Sequence, residues 1–145
     1  TVRKTVMVVD DSITVRKVTT KILERNGFDV ITAKDGIEAV TLLEQHVPDV
    51  ILLDIEMPEI DGYEVCKHLK DDPLTQNIPI IFVTGRVEVD DETRGFDVGA
   101  VDYISKPYNP RIIRARVNTH LELKHHRDVL EELSSLILIV DLYSF

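Results

Sequence analysis

Five short runs of mainly apolar residues, at 6–9, 28–31, 50–53, 80–83 and 101–104, alternate with segments long enough to form helices. That alternation constrains the fold most tightly. Strands separated by helical crossovers pair in parallel, and helices must then cover the sheet. The runs Val-Met-Val-Val, Val-Ile-Leu-Leu and Ile-Ile-Phe-Val are apolar throughout, as expected of strands buried on both faces. Phe28-Asp29-Val30-Ile31-Thr32 is mixed and reads as an edge strand. The first, third and fourth runs are therefore expected at the centre of the sheet.

The helical segments carry their own start and stop signals. Ser12 or Asp11 can cap a first helix running to about Arg25, with Ile13, Val18, Ile22 and Leu23 as its apolar stripe and Asn26-Gly27 as its stop. A second follows Asp35-Gly36 and ends before Pro48, and a third covers about 63–70 before Asp71-Asp72-Pro73. The fourth lies between residues 88 and 98 and has Gly95 inside it among β-branched residues. Its propensity is poor, so it is expected to be the most mobile helix. The fifth starts after Asn109-Pro110 and can continue to about Ser135, roughly 37 Å at 1.5 Å per residue.

A helix of that length overshoots a sheet of five-residue strands, which places a boundary near residue 124: a domain at 1–124, then a helical extension or linker to an output domain at 125–145. Leu123, Leu130 and Ile137 recur every seven residues, but Arg127 and Ser134 fall at the alternate seam positions, so a coiled coil and a solvated connector both remain open. The last ten residues include Leu-Ile-Leu-Ile-Val, a run expected to dock, to pair with a neighbour, or to begin a further domain. With a start at Thr1, it suggests a piece of a longer or engineered protein.

Composition narrows the function classes. A chain of 145 residues is sized for one domain. Its 17 basic and 26 acidic residues give a net charge of -9, without a basic patch, which argues against direct binding of nucleic acid or anionic membrane. Cys66 is the only cysteine, so no intramolecular disulfide can form. No signal peptide opens the chain and no apolar run reaches membrane-spanning length. A cytoplasmic location is the reading these features favour.

Chemistry-bearing residues gather just past the strands: Asp10-Asp11, Asp54, Thr84-Gly85 and Lys106-Pro107. In open parallel α/β sheets, ligands bind beyond the carboxyl ends of the strands, where the winding reverses. A flavodoxin-like doubly wound five-stranded sheet, order 2-1-3-4-5, makes the first and third strands neighbours and brings Asp10, Asp11 and Asp54 together. Three carboxylates at 4 to 5 Å repel by about 10 kcal/mol in total at an effective dielectric of 20. A hard divalent cation suits such an all-oxygen site, and Lys106 adds a fixed positive charge. With the Thr84 hydroxyl, these are parts for stabilising a phosphoryl group on a carboxylate. A lone Asp after a strand is ordinarily a cap or turn former, but the combination at four strand ends is not.

The motifs VMVVDDS, DVILLDIEMPEIDGYEV, IPIIFVTG and GAVDYISKPY resemble those of response-regulator receiver domains, over about residues 4–124. The resemblance implies that Asp54 accepts a phosphoryl group from a phosphohistidine of a sensor histidine kinase or phosphotransfer protein. It implies that Asp10, Asp11, Asp54 and the Glu56 backbone carbonyl hold Mg²⁺ (or Mn²⁺), that Lys106 pairs with Asp54, and that Thr84 is the switch hydroxyl. Tyr103 would be the aromatic that turns from solvent toward the core, and Lys106-Pro107 a cis peptide. The face of the fourth helix, fifth strand and fifth helix would then control a partner, a dimer or an output domain. The homodimer could form through that face or through the C-terminal helix.

Other residues are assigned lesser roles. Glu56 and Arg86 flank the pocket mouth and are expected either to bridge, hindering hydrolysis, or to be solvated. His120, His125 and His126 are expected to be solvated, as are Arg111, Arg114 and Arg116 unless they meet acidic groups across a dimer. Cys66 is expected to pack. The opening DDSITVRKVT is similar to receivers attached to chemotaxis-type kinases, whereas residues 109–123 look like receivers that precede enzymatic modules or sit in hybrid kinases. Two other readings stand beside the switch: a metal-dependent phosphatase, which would need a second acid/base carboxyl and a cap, and a pseudo-receiver that binds partners without phosphorylation. A receiver is not a turnover enzyme; it catalyses only its own phosphorylation and dephosphorylation.

Overall fold

A computed structural model describes residues 3–85, 89–106 and 109–143. Strands β1 (Thr5–Val9), β2 (Asp29–Ala33), β3 (Val50–Asp54), β4 (Ile80–Thr84) and β5 (Asp102–Ser105) form one parallel sheet in the order β2-β1-β3-β4-β5. Each strand begins within one residue of the expected start. The intervening helices are α1 (Ile13–Arg25), α2 (Gly36–Leu43), α3 (Gly62–Asp71) and α4 (Val89–Asp97), and α5 (Pro110–Tyr143) closes the chain.

The period-two alternation of the strands divides the core between the two faces of the sheet. Met7, Val9, Ile51, Leu53, Ile80 and Phe82 pack with Ala39 of α2 and Tyr63, Val65, Cys66 and Leu69 of α3. Val6, Val8, Leu52, Ile81, Val83 and Ile104 pack with Leu23 of α1 and Ile113 and Val117 of α5. The β3 and β4 strands are buried along their whole length, while β2 is partly exposed as an edge. Cys66 is a packing residue: its thiol donates to the Val98 carbonyl at 3.5 Å, and burial pushes its pKa up to about 11.

Short side-chain caps start the helices beside the carboxyl ends of the strands. The Ser12 hydroxyl accepts from the Val15 N–H, the Asp35 carboxylate from the Glu38 N–H, and the Asp61 carboxylate from the Glu64 N–H. At the other end of α1, Gly27 takes φ +87°, and the Gly27 and Phe28 N–H groups close onto the Glu24 and Leu23 carbonyls. This is the stop expected from Asn26-Gly27, made by a residue that bears a left-handed backbone without strain.

α5 runs for 34 residues, about 51 Å, and continues past the expected end near Ser135 to Tyr143. The Leu-Ile-Leu-Ile-Val run holds no Gly or Pro, and β-branched residues lower helix propensity by only a few tenths of a kcal/mol each, so nothing in it ends the helix. Only Ile113 and Val117 of α5 are buried, and Leu121 packs partly beneath. Farther along, Arg127 donates to the Asn77 carbonyl at 3.1 Å, and residues 129–143 are exposed.

Candidate functional site

The register Val9↔Leu53 sets the ends of β1 and β3 side by side, so Asp10 and Asp54 emerge together. Both are 2% exposed, whereas Asp11 is exposed at the rim. One carboxylate oxygen from each of Asp10, Asp11 and Asp54 lies within 4.8 Å of the others. Lys106, directly after β5, reaches across the sheet edge: its Nζ is 3.0 Å from Asp10 Oδ2 and 3.3 Å from Asp54 Oδ1. The expected Lys106–Asp54 pair is present, and Asp10 shares it at the shorter distance.

Among the described residues, three carboxylates face one ammonium, and the pKa shifts follow from that balance. Burial pushes the Asp54 carboxyl up to about 6, and the Asp10 charge adds to the rise, while Lys106 and the Glu56 N–H act against it. Lys106 is held above its ordinary value: burial opposes its charge, but the bond to Asp10 and the charges of Asp54 and Asp10 prevail. Backbone donors orient the acids. The Glu56 N–H reaches Asp54 Oδ1 at 3.1 Å and the Ser12 N–H reaches Asp10 Oδ1 at 2.8 Å. The all-oxygen donor set, still negative after Lys106, fits a hard divalent cation.

Thr84 ends β4 and is buried, and its hydroxyl donates to Glu56 Oε1 at 3.4 Å. The Glu56 carboxylate thus folds back over the pocket onto the threonine. Arg86, its other expected partner, lies outside the described residues, as does Pro107 of the expected cis peptide.

The Tyr103 side chain is buried, with ring centroids 5.6 Å from Phe82 and 5.4 Å from Phe96. The reason is Gly95: a Cβ there would collide with the Tyr103 hydroxyl and with Phe82, so the bare α4 backbone gives the ring its space. Gly62 plays a similar part beside β3, where a Cβ would strike the Asp54 carbonyl and the Ile55 Cα. Sequence reasoning missed Gly62, and it missed Arg16, whose guanidinium donates to the Asp10 carbonyl at 2.6 Å. The only signal for Arg16 was its place one helical turn after the Ser12 cap.

Two expected solvated groups are engaged elsewhere. His120 Nε2 lies 2.8 Å from Asp102 Oδ2, and Arg116 Nη1 lies 2.8 Å from Asp102 Oδ1. The i, i+4 spacing on α5 sets both side chains over the start of β5, opposite the acidic pocket. The Asp102 carboxyl is held below its usual range: burial opposes ionisation, but His120, the Tyr103 N–H and Arg116 outweigh it. His125 and His126 are exposed as expected, and so are Arg111 and Arg114.

The family model "Response regulator receiver domain" matches residues 6–118. The alkaline phosphatase synthesis transcriptional regulatory protein PhoP of Bacillus subtilis is 43% identical over 118 residues, 81% of this chain and 48% of its own length. The chemotaxis protein CheY4 of Vibrio cholerae superposes with a TM-score of 0.79 at 30% identity, covering 81% of this chain and 98% of that one. The signal receiver domain of a histidine kinase from Syntrophus aciditrophicus superposes with a TM-score of 0.76 at 34% identity, over 82% of this chain and 90% of that one. The chain spans about half the length, or less, of the curated relatives it matches.

Proposed function

The chain belongs to the response regulator receiver domain family, and from that premise we propose that it is a cytoplasmic, phosphorylation-dependent switch with Asp54 as its acceptor. The observation that carries the reading is the position of Lys106, bonded at once to Asp10 and Asp54 inside the acidic trio. An Asp54 oxygen attacks the phosphorus of a phosphohistidine on a sensor histidine kinase or phosphotransfer protein. The O–P bond forms and the P–N bond breaks; the imidazole nitrogen keeps the electron pair and takes up a proton. Asp10, Asp11, Asp54 and the Glu56 backbone carbonyl would hold Mg²⁺ or Mn²⁺, which when bound supplies charge neutralisation for the phosphoryl oxygens.

The protein's own groups do the rest. Its bond to Asp10 keeps Lys106 in the pocket while Asp54 changes, leaving the ammonium free to meet the phosphoryl oxygens. The Thr84 hydroxyl exchanges the Glu56 carboxylate for a dianionic acceptor and moves inward. The face of α4, β5 and α5 follows, because Tyr103 already fills the space beneath Gly95 and Phe96 and transmits the shift through packing. Moving such a switch from 1% to 99% active takes about 5.5 kcal/mol of differential stabilisation. The switching unit is residues 1–124, and residues 125–145 carry the signal to an output module or partner.

Intact mass spectrometry after incubation with acetyl phosphate tests the reading. One phosphoryl adduct is expected with Mg²⁺, and none with chelator or in Asp54→Ala. An unmodified mass in the presence of Mg²⁺ would overturn the acceptor assignment and favour a pseudo-receiver.

A further inference from the structure

We propose that the α5 tails of two copies of this chain pair as a parallel, in-register, two-stranded coiled coil over residues 122–143. Leu123, Leu130 and Ile137 recur at seven, and the positions three residues after them are His126, Leu133 and Val140. Spacing by three and four in turn places all six on one seam, the a and d positions of three heptads. The alternate spacing that puts Arg127 and Ser134 beside the leucines is therefore not the seam. His126 takes the one polar core position, the kind of residue that fixes register at a cost in stability.

The exposures fit an unpaired seam: 59% at Leu123, 63% at Leu130, 49% at Leu133, 61% at Ile137 and 63% at Val140. A shallow groove flanks the first half of the seam, where Leu123, His126 and Leu130 meet Arg127, Glu131, Ser134 and Ser135. At 3.6 residues per turn, this side of α5 is opposite the one that Ile113, Val117 and Leu121 hold against the body. A second copy can therefore approach the seam without meeting the sheet domain.

Charge selects a second copy in parallel as the occupant. With Leu123 and Leu130 at a, Glu122 falls at g and Arg127 at the following e, the two positions that face each other between parallel chains in register. Each dimer would have two such Glu–Arg pairs, and the exposed Arg127 would turn to them from the Asn77 carbonyl. Asp128, Glu131 and Glu132 fall at f, b and c, clear of the seam, and Asp141, at e, faces Leu136 at the partner's g, so the acidic tails do not confront each other. An antiparallel arrangement offers Glu122 and Arg127 no such partners. The pairing is independent of whether Asp54 takes a phosphoryl group.

Sedimentation equilibrium and cysteine cross-linking of the full chain test this. The protein at tens of micromolar is expected to sediment as a dimer, and Leu133→Glu as a monomer with an unchanged circular dichroism spectrum. His126→Cys and Val140→Cys, both d positions about 21 Å apart on one helix, should each cross-link to themselves on oxidation, while Ser135→Cys should not. The native thiol, Cys66, is buried and will not interfere. Glu122→Lys should weaken the dimer about tenfold, and adding Arg127→Glu should restore it. A monomeric wild type, a tetramer, a dimer that survives Leu133→Glu, or cross-linking only in a mixture of the His126→Cys and Val140→Cys chains would each overturn the proposal.

Discussion

Two carboxylates at opposite edges of the sheet, Asp54 at the end of β3 and Asp102 at the start of β5, are handled in opposite ways. Asp54 is the more buried, shares Lys106 with Asp10, and is pushed up to about 6. Asp102 has His120, Arg116 and the Tyr103 N–H to itself, and is held below its usual range. Among the described residues, one site carries more negative charge than its donors neutralise; the other is saturated. An unsaturated buried charge costs stability and persists where something absent from the chain completes it, whereas a saturated one fastens two elements together. By that criterion we propose the Asp54 pocket as the site of function, with Asp102 a brace holding α5 to β5.

The largest expected contrast is in chemistry. Asp54→Asn should abolish phosphoryl uptake from acetyl phosphate, while Asp102→Asn should leave it intact by mass spectrometry; loss of uptake in the Asp102 variant would erase the distinction between site and brace. Stability should change in opposite directions. In chelator, Asp54→Asn is expected to stabilise the fold by about 2 to 3 kcal/mol, the worth of a pKa raised by roughly two units. Asp102→Asn is expected to cost about 1 to 3 kcal/mol, because it strips an ionised acceptor from His120 and Arg116, with the lower end favoured by the exposure of Arg116. Urea melts of both variants beside the wild type read the two signs directly.

Metal sharpens the same comparison. Mg²⁺ at about a hundred times its Kd should stabilise the wild type by about 2.7 kcal/mol. The increment should survive in Asp102→Asn and shrink in Asp10→Asn, where one of the clustered carboxylates is gone. An undiminished increment in the Asp10 variant would move the cation away from the acidic trio. Thermal melts with and without Mg²⁺ make the comparison.

The two regions also differ in how far the sequence discloses them. The acidic pocket is legible because its residues directly follow strands that apolar runs announce, so chain position alone assigns Asp10, Asp54, Thr84 and Lys106 to one edge. The brace is not, because the meeting of His120 and Arg116 with Asp102 depends on how a helix settles across the sheet, and a histidine on a polar helix face carries no mark of its partner. Glycine roles were hidden for a related reason. Gly95 reads as a weak point of α4 until Tyr103 is seen to occupy the space it leaves, and Gly62 carries no signal until its approach to the Asp54 carbonyl is visible. The end of α5 was misjudged because an apolar run suggests a buried element, while helix propensity alone lets it continue through Tyr143.

The smallest predicted effect is the pH profile of stability in chelator, where the two carboxylates should give opposite slopes. Asp54 has a folded-state pKa of about 6, above its unfolded value of 3.8, so its contribution is fully present below the unfolded value and is lost as pH rises through 6. Lowering the pH from 7 to 5 should therefore stabilise the metal-free protein by about 1 kcal/mol. Asp102 is depressed, so its contribution is complete above the unfolded value of 3.8 and is lost as pH falls through the lower folded value. Stability should then peak between about 4 and 6, with Asp54→Asn removing the rise and Asp102→Asn softening the acid-side fall. If the rise from pH 7 to 5 persists in Asp54→Asn, another group carries it, and the claim that Asp54 bears the uncompensated charge fails.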